Sequence, residues 1–196
     1  MEIVQLSDLH IGAQFREEVF GNVIDEINSL KPEAVVITGD LTNEGLIEQY
    51  EKCKNLVSQI KVEKIIAISG NHDYRNTGYL LFKKYFPFKT ENLIGDDVIL
   101  VTLGSARPDR DEGEVGHHQN LWLERTLKKY ENKLKMVAMH HHLIGIPDTG
   151  SDRLTVIDAG DVLRTILDSN VNLVLCGHKH RPVSYTHLTL PTNREV

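Results

Sequence analysis

Apolar runs, most of them continuous and β-branched, recur along this chain, and five of the six stop at a cluster of Gly, Asp, Asn or His. The runs are Ile3–Leu6, Ala34–Thr38, Ile65–Ser69, Val98–Leu103, Met136–Met139 and Leu173–Cys176. They lack the apolar–polar alternation of a strand with one wet face, so they predict strands buried on both faces. Helical spacing fills the intervals. Val19, Val23, Ile24, Ile27 and Leu30 form one stripe, ended by Pro32; Leu46, Tyr50, Cys53, Leu56, Val57 and Ile60 form a second. Leu121, Leu123, Leu127 and Tyr130 form a third, and Val162, Leu163, Ile166 and Leu167 a fourth, with Asp158 and Asp161 resembling a helix-start cap. Alternating strands and helices define an α/β class, and such folds collect ligands beyond the carboxyl ends of their strands.

The clusters sit at those ends: Ser7-Asp8-Leu9-His10, Gly39-Asp40, Gly70-Asn71-His72-Asp73, His140-His141-His142 and Gly177-His178-Lys179-His180. Asp8 and His10 are two apart, so a persisting pleat points both the same way and lets them chelate one ion. Asp40 supplies a carboxylate whose two oxygens can serve two cations. Asn71 offers a neutral carbonyl oxygen. His72 follows it directly and faces elsewhere, which suits it to catalysis, with Asp73 expected to hold its imidazole and raise its basicity. Of the three successive histidines, His140 at the strand end is the expected ligand; the competing reading is a surface histidine cluster. His178 and His180 can reach two neighbouring ions. A mononuclear zinc site of Cys176, His178 and His180 is the runner-up, but it lacks a fourth partner nearby and leaves the other motifs idle.

Taken in order, these motifs resemble the calcineurin-like metallophosphoesterase superfamily over residues 1 to about 182. The resemblance implies a two-sheet α/β/β/α sandwich and two divalent metal ions, Mn foremost with Fe, Zn or Co as alternatives. It assigns Asp8, His10, Asp40 and His180 to one ion, Asp40, Asn71, His140 and His178 to the other, and matches His72 to the catalytic histidine. The implied activity is hydrolysis of a phosphodiester or phosphomonoester by an activated hydroxide, assisted by His72. Two divalent ions against Asp8 and Asp40 leave a surplus of about two positive charges for an anionic substrate. The stretch Gly39–Gly45 is similar to that of phosphodiesterase-type members.

Composition narrows the partners. The net charge is −6 and there is no Lys/Arg stripe, which disfavours duplex nucleic acid while leaving a nucleotide possible. A nuclease subunit acting in a complex and a metal-binding scaffold without chemistry are the rival functions. Apolar residues make up 40% of the chain, enough for a core, and no apolar run approaches membrane-spanning length. Cys53 and Cys176 form no disulfide framework and read as buried free thiols. With no signal-peptide pattern, a cytoplasmic protein is expected. His117 and His118 are read as solvent-facing. Ser105–Gly116, rich in Arg, Asp and Gly, is read as a loop on the substrate side or a merely solvated one. Residues 183–196 resemble a translated sequencing adapter. The expectation is a metallophosphoesterase domain over 1–182 whose natural continuation is replaced by a foreign tail, with His187 set aside as a ligand.

Overall fold

The computed structural model describes residues 2–87, 89–145 and 155–180, with the backbone of 183–186. Its strands are β1 (Ile3–Leu6), β2 (Ala34–Thr38), β3 (Ile65–Ile68), β4 (Glu91–Ile94), β5 (Val98–Thr102), β6 (Leu134–Ala138), β7 (Leu173–Cys176) and β8 (Val183–Thr186). The helices are α1 (Glu17–Leu30), α2 (Ile47–Val57), α3 (Gly78–Tyr85), α4 (His117–Lys128) and α5 (Ala159–Asp168). The first three strands form a parallel sheet in the order β1-β2-β3. The others form a second sheet in the order β4-β5-β6-β7-β8, parallel at its centre and antiparallel at both edges.

Strand alternation divides each apolar run between two cores. Val35 and Ile37 of β2 face the layer that contains Phe20, Ile24, Tyr50 and Phe82 of α1–α3. Ile99 and Val101 of β5 and Val137 of β6 face Leu123 and Leu127 of α4 and Val162 and Ile166 of α5. The alternate residues, Ala34, Val36, Ile68, Val98, Leu100, Met136, Ala138 and Leu175, pack sheet against sheet. Three apolar layers between four structural layers make the expected α/β/β/α sandwich. No helix among the described residues is long and apolar enough to cross a membrane.

Several local expectations are corrected. β4, α3 and β8 were not anticipated: Glu91-Asn-Leu-Ile is short and mixed in polarity, and Tyr79–Phe82 is one apolar turn without a longer period. Strand β8 lies in the segment set aside as a tail, and its backbone pairs with β7. In α1 the buried face is Phe20, Ile24 and Ile27, while Val19 and Leu30 are exposed. Leu46 and Leu121 likewise point outward. Asp158 stands at the start of α5 but does not cap it. Its carboxylate instead accepts the N–H groups of Val115 and Gly116, at 3.0 and 2.7 Å.

Candidate metal centre

All five motifs meet at one end of the two sheets. Because β1 stops at Leu6, the pleat expected to align Asp8 with His10 does not persist. Both residues turn instead into left-handed backbone, at φ 55° and 46°, and their N–H groups donate to the carbonyls of Gly39 and Asp40. Asp40, His178 and His180 are left-handed too, at φ 53°, 72° and 52°. Side chains seldom adopt this region, and such residues cluster where a function requires the strain. Two glycines permit the close approach: a Cβ on Gly70 would strike the Asp40 carboxylate, and one on Gly177 would strike Ser7 Oγ and the Asp8 carboxylate. The Asp8 oxygens accept the His178 N–H at 2.9 and 3.1 Å, joining the two sheets across the site.

The deep half is built around Asn71 and His140. Asn71 Oδ1 lies 3.0 Å from both His140 Nε2 and His178 Nδ1. His140 Nδ1 lies 2.8 Å from the Thr38 carbonyl, which can only accept, so Nδ1 carries the hydrogen and Nε2 the lone pair of the neutral ring. That Nε2 faces two acceptors, Asn71 Oδ1 and, at 3.3 Å, Asp40 Oδ2. Lone pairs converging in this way repel unless a proton or a cation lies among them. A backbone carbonyl on the far nitrogen is also the usual support of a metal-binding imidazole. Burial disfavours charge on His140, yet Asp40 beside it pushes the imidazole up to about 9. Burial, reinforced by His140, holds His178 down at about 3.

The shallow half joins His10 and His180, whose Nε2 atoms lie 3.0 Å apart. Asp8 Oδ1 stands 4.0 and 3.9 Å from these nitrogens. Burial lowers the basicity of His10 below the usual imidazole range; Asp40 opposes this, and His72 and His180 add to it. Asp40 touches both halves, its Oδ2 being 3.3 Å from His140 Nε2 and 3.7 Å from His10 Nε2. Burial works against its charge, but His140, His72 and His10 hold the carboxyl below the usual range. Two carboxylates, one amide oxygen and four imidazoles thus converge in one place, a nitrogen and oxygen donor set suited to borderline divalent ions.

His72 and Asp73 separate. The Asp73 carboxylate accepts from Leu41 N, Thr42 N, Thr42 Oγ1 and Gly70 N at 2.8–3.1 Å and does not reach the His72 ring. It ties the Gly70–Asp73 turn to the Leu41–Thr42 loop. Burial and the nearby Asp40 push its carboxyl up to about 7, against those donors. The contact on His72 comes from the carbonyl of Asn43, 2.8 Å from Nδ1, which leaves Nε2 as the exchangeable nitrogen. The His72 ring meets His10 edge-on at 4.4 Å. His10, His72 and His180 open into a cavity of about 550 Å³ whose other walls include Leu9, Phe15, Arg16 and Asn43. A larger hollow of about 870 Å³ lies at the opposite strand ends, beside Lys135 and Asn172, away from every candidate ligand.

The other described histidines and the two cysteines also find their places; His187 lies outside the described residues. His140, His141 and His142 are all buried, which excludes a surface cluster. The His141 ring meets His140 edge-on at 4.9 Å and lies 4.6 Å from the ring of His178, with a ligand atom close to theirs. Both its nitrogens have partners, however: Nδ1 lies 2.8 Å from Ser105 Oγ and Nε2 3.1 Å from the Asp111 carbonyl. His117 and His118 are exposed. Cys53 and Cys176 are free and buried, and Cys176 packs among Ile99, Val137 and Val174, so the runner-up zinc site does not form. Sequence reasoning missed Asn43 and Asp111, whose contacts join segments far apart in the chain.

Residues 1–182 match the family described as calcineurin-like phosphoesterase. The chain is 29% identical over 198 residues to a probable glycerophosphodiester phosphodiesterase GpdQ of Arcobacter nitrofigilis, covering 92% of this chain and 72% of the relative. It is 27% identical over 209 residues to a probable cyclic nucleotide phosphodiesterase of Rhodococcus erythropolis, covering 97% and 68%. The fold is similar to that of purple acid phosphatase PPD1 from yellow lupin, with a TM-score of 0.67 and 14% identity over 90% of this chain and 37% of that one. From the order of its motifs, its four-layer architecture and the match along nearly its whole length, this chain belongs to the calcineurin-like phosphoesterase family of hydrolases.

Proposed function

We propose that this chain is a phosphodiesterase that holds two divalent cations. Asp8, His10, Asp40 and His180 hold one; Asp40, Asn71, His140 and His178 hold the other. The observation that carries the reading is the convergence of these groups, with His140 Nε2 facing both Asn71 Oδ1 and Asp40 Oδ2. Its nitrogen and oxygen donors suit Mn²⁺ first, with Fe, Zn or Co as alternatives. When bound, such cations polarise phosphoryl oxygens and lower the pKa of water toward about 7.

The chain's own residues do the rest. Hydroxide, left when such a water has given its proton to solvent, attacks phosphorus in line, and the bond to the alcohol oxygen breaks. His72, held through Nδ1 by the Asn43 carbonyl, delivers a proton from Nε2 to the departing alkoxide. The adjacent cavity accepts the organic part of the ester, with Leu9 and Phe15 as apolar walls and Arg16 and Asn43 as polar ones. This arrangement favours a diester with a polar organic group, and the names of the relatives, a glycerophosphodiester and a cyclic-nucleotide phosphodiesterase, support the same class.

Hydrolysis of bis(p-nitrophenyl) phosphate by the Mn²⁺-loaded protein, abolished by chelator, is the expected result. Absence of turnover in loaded protein would leave a metal-binding scaffold. His72→Ala is expected to keep both ions while turnover falls by roughly 10²–10⁴-fold. Undiminished turnover in that variant removes His72 from the proton-donor role.

A further inference from the structure

The segment 105–116 does more than border the site: it straps the turn that carries Asn71 and His72. Asp109 Oδ1 accepts the N–H of Asn76 at 2.8 Å, and the Asp109 N–H donates to the Tyr74 carbonyl at 3.3 Å. Asp111 Oδ1 accepts from Asn71 Nδ2 at 3.1 Å. The strap is itself fixed at several points. His141 contacts Ser105 Oγ and the Asp111 carbonyl, and Asp158 holds Val115 and Gly116. A Cβ on Gly113 would strike the His141 ring, so the segment lies directly on that imidazole.

The consequence lies in the chemistry of a carboxamide. Asn71 presents an acceptor on one side and a donor on the other, and the two are nearly equal in size. A carboxylate can only accept, so Asp111 selects Nδ2 and turns Oδ1 inward, where it meets His140 Nε2 and His178 Nδ1. Without that contact, the flipped amide would aim N–H groups at the place where a cation needs an oxygen. Arg75 extends the link. It lies 3.6 Å from Asp111 Oδ1 and donates to Glu44 Oε1 at 3.2 Å and to the Asn43 carbonyl at 3.3 Å, the same carbonyl that holds His72.

We infer that Asp111 is a positioning residue that fixes the orientation of the Asn71 amide and thereby the affinity of the deep cation position. The inference rests on the reading of Asn71 as a ligand. The Asp111 side chain is 60% exposed, so its replacement leaves the core intact. Mn²⁺ binding by equilibrium dialysis and electron paramagnetic resonance, on the whole chain, is the test. Asp111→Ala is expected to weaken one of the two ions by roughly 10–100-fold, the usual loss when a ligand's support is removed. The melting temperature of the metal-free protein should stay unchanged. Asp111→Asn keeps an acceptor oxygen but adds a donor that no longer excludes the flipped amide, and is expected to bind between wild type and Asp111→Ala. Wild-type binding of both ions in Asp111→Ala overturns the inference. Asn71→Ala run in parallel separates the two layers of argument. If it keeps both ions, the ligand reading of Asn71 fails; if it loses one while Asp111→Ala does not, only the role of Asp111 fails.

Discussion

The two halves of the centre are built differently. In the deep half, His140 is fully buried and Asn71 nearly so, and each is held from behind, by the Thr38 carbonyl and by Asp111. In the shallow half, the His180 side chain is 64% exposed and lines the cavity beside His10 and His72. One half is made like a core, with its ligands fixed before any ion arrives. The other is made like an entrance through His180, while Asp8 and His10 beside it stay largely covered. On the proposed two-ion reading, preorganisation of this kind should make the deep position the tighter one and leave exchange and substrate contact to the shallow one. Asp40 alone belongs to both.

The largest effect is therefore expected at Asp40. Asp40→Asn removes the charge that sits between His140 and His10, and both ions should be lost when metal content is measured after gel filtration. A variant that keeps both shows that the carboxylate is not shared. Next come His140→Ala and His180→Ala, which should differ in kind. His140→Ala empties the deep position and strands the buried Thr38 carbonyl, at a cost of about 1–3 kcal/mol in urea unfolding of the metal-free protein. His180→Ala should weaken only the shallow ion and leave the unfolding midpoint where it was. Equal losses of stability would mean that the contrast in burial has no energetic counterpart.

The same contrast explains what could be read from the sequence. Ala34–Thr38 and Leu173–Cys176 were legible to the residue because a buried strand is an unbroken apolar run with a polar stop, and Ile3–Leu6 was equally legible although Gln5 interrupts it and the strand is only half-buried. The stops supplied the ligand candidates, since the carboxyl ends of parallel strands converge. Edge strand β4 was not legible, having no such run. Nor were the supports. Asn43 is 29 residues from His72 and Asp111 is 40 from Asn71, and no local spacing encodes either contact. Asp73 misled for the opposite reason. It adjoins His72 in the chain, but the donors that capture its carboxylate lie mostly in the Leu41–Thr42 loop, which the fold brings to its far side. Adjacency in sequence set the motif; packing set the direction of each side chain.

The smallest effect is one of pH. In the metal-free protein Asp40 raises His140 to about 9, so near neutrality a cation entering the deep half must expel a proton. Affinity there should climb with pH, by at most about tenfold per unit for one proton, and level off above about 9. His10 is depressed by burial, so its ring holds a proton less readily than an ordinary imidazole and competes less with an ion in the shallow half. Stability of the metal-free chain runs the other way. A histidine raised above its unfolded value of about 6.5 stabilises the fold fully below that value, and the contribution is lost as pH rises through about 9. The difference in melting temperature between loaded and stripped protein should accordingly widen from about pH 6.5 to 9, because the stripped form weakens while the deep ion binds more tightly. Thermal scans across that range, with the proton released on Mn²⁺ binding measured by calorimetry in buffers of different ionisation enthalpy, read both trends. A constant difference with no proton released would mean that His140 is neutral before the ion arrives, and that the converging lone pairs are relieved in some other way.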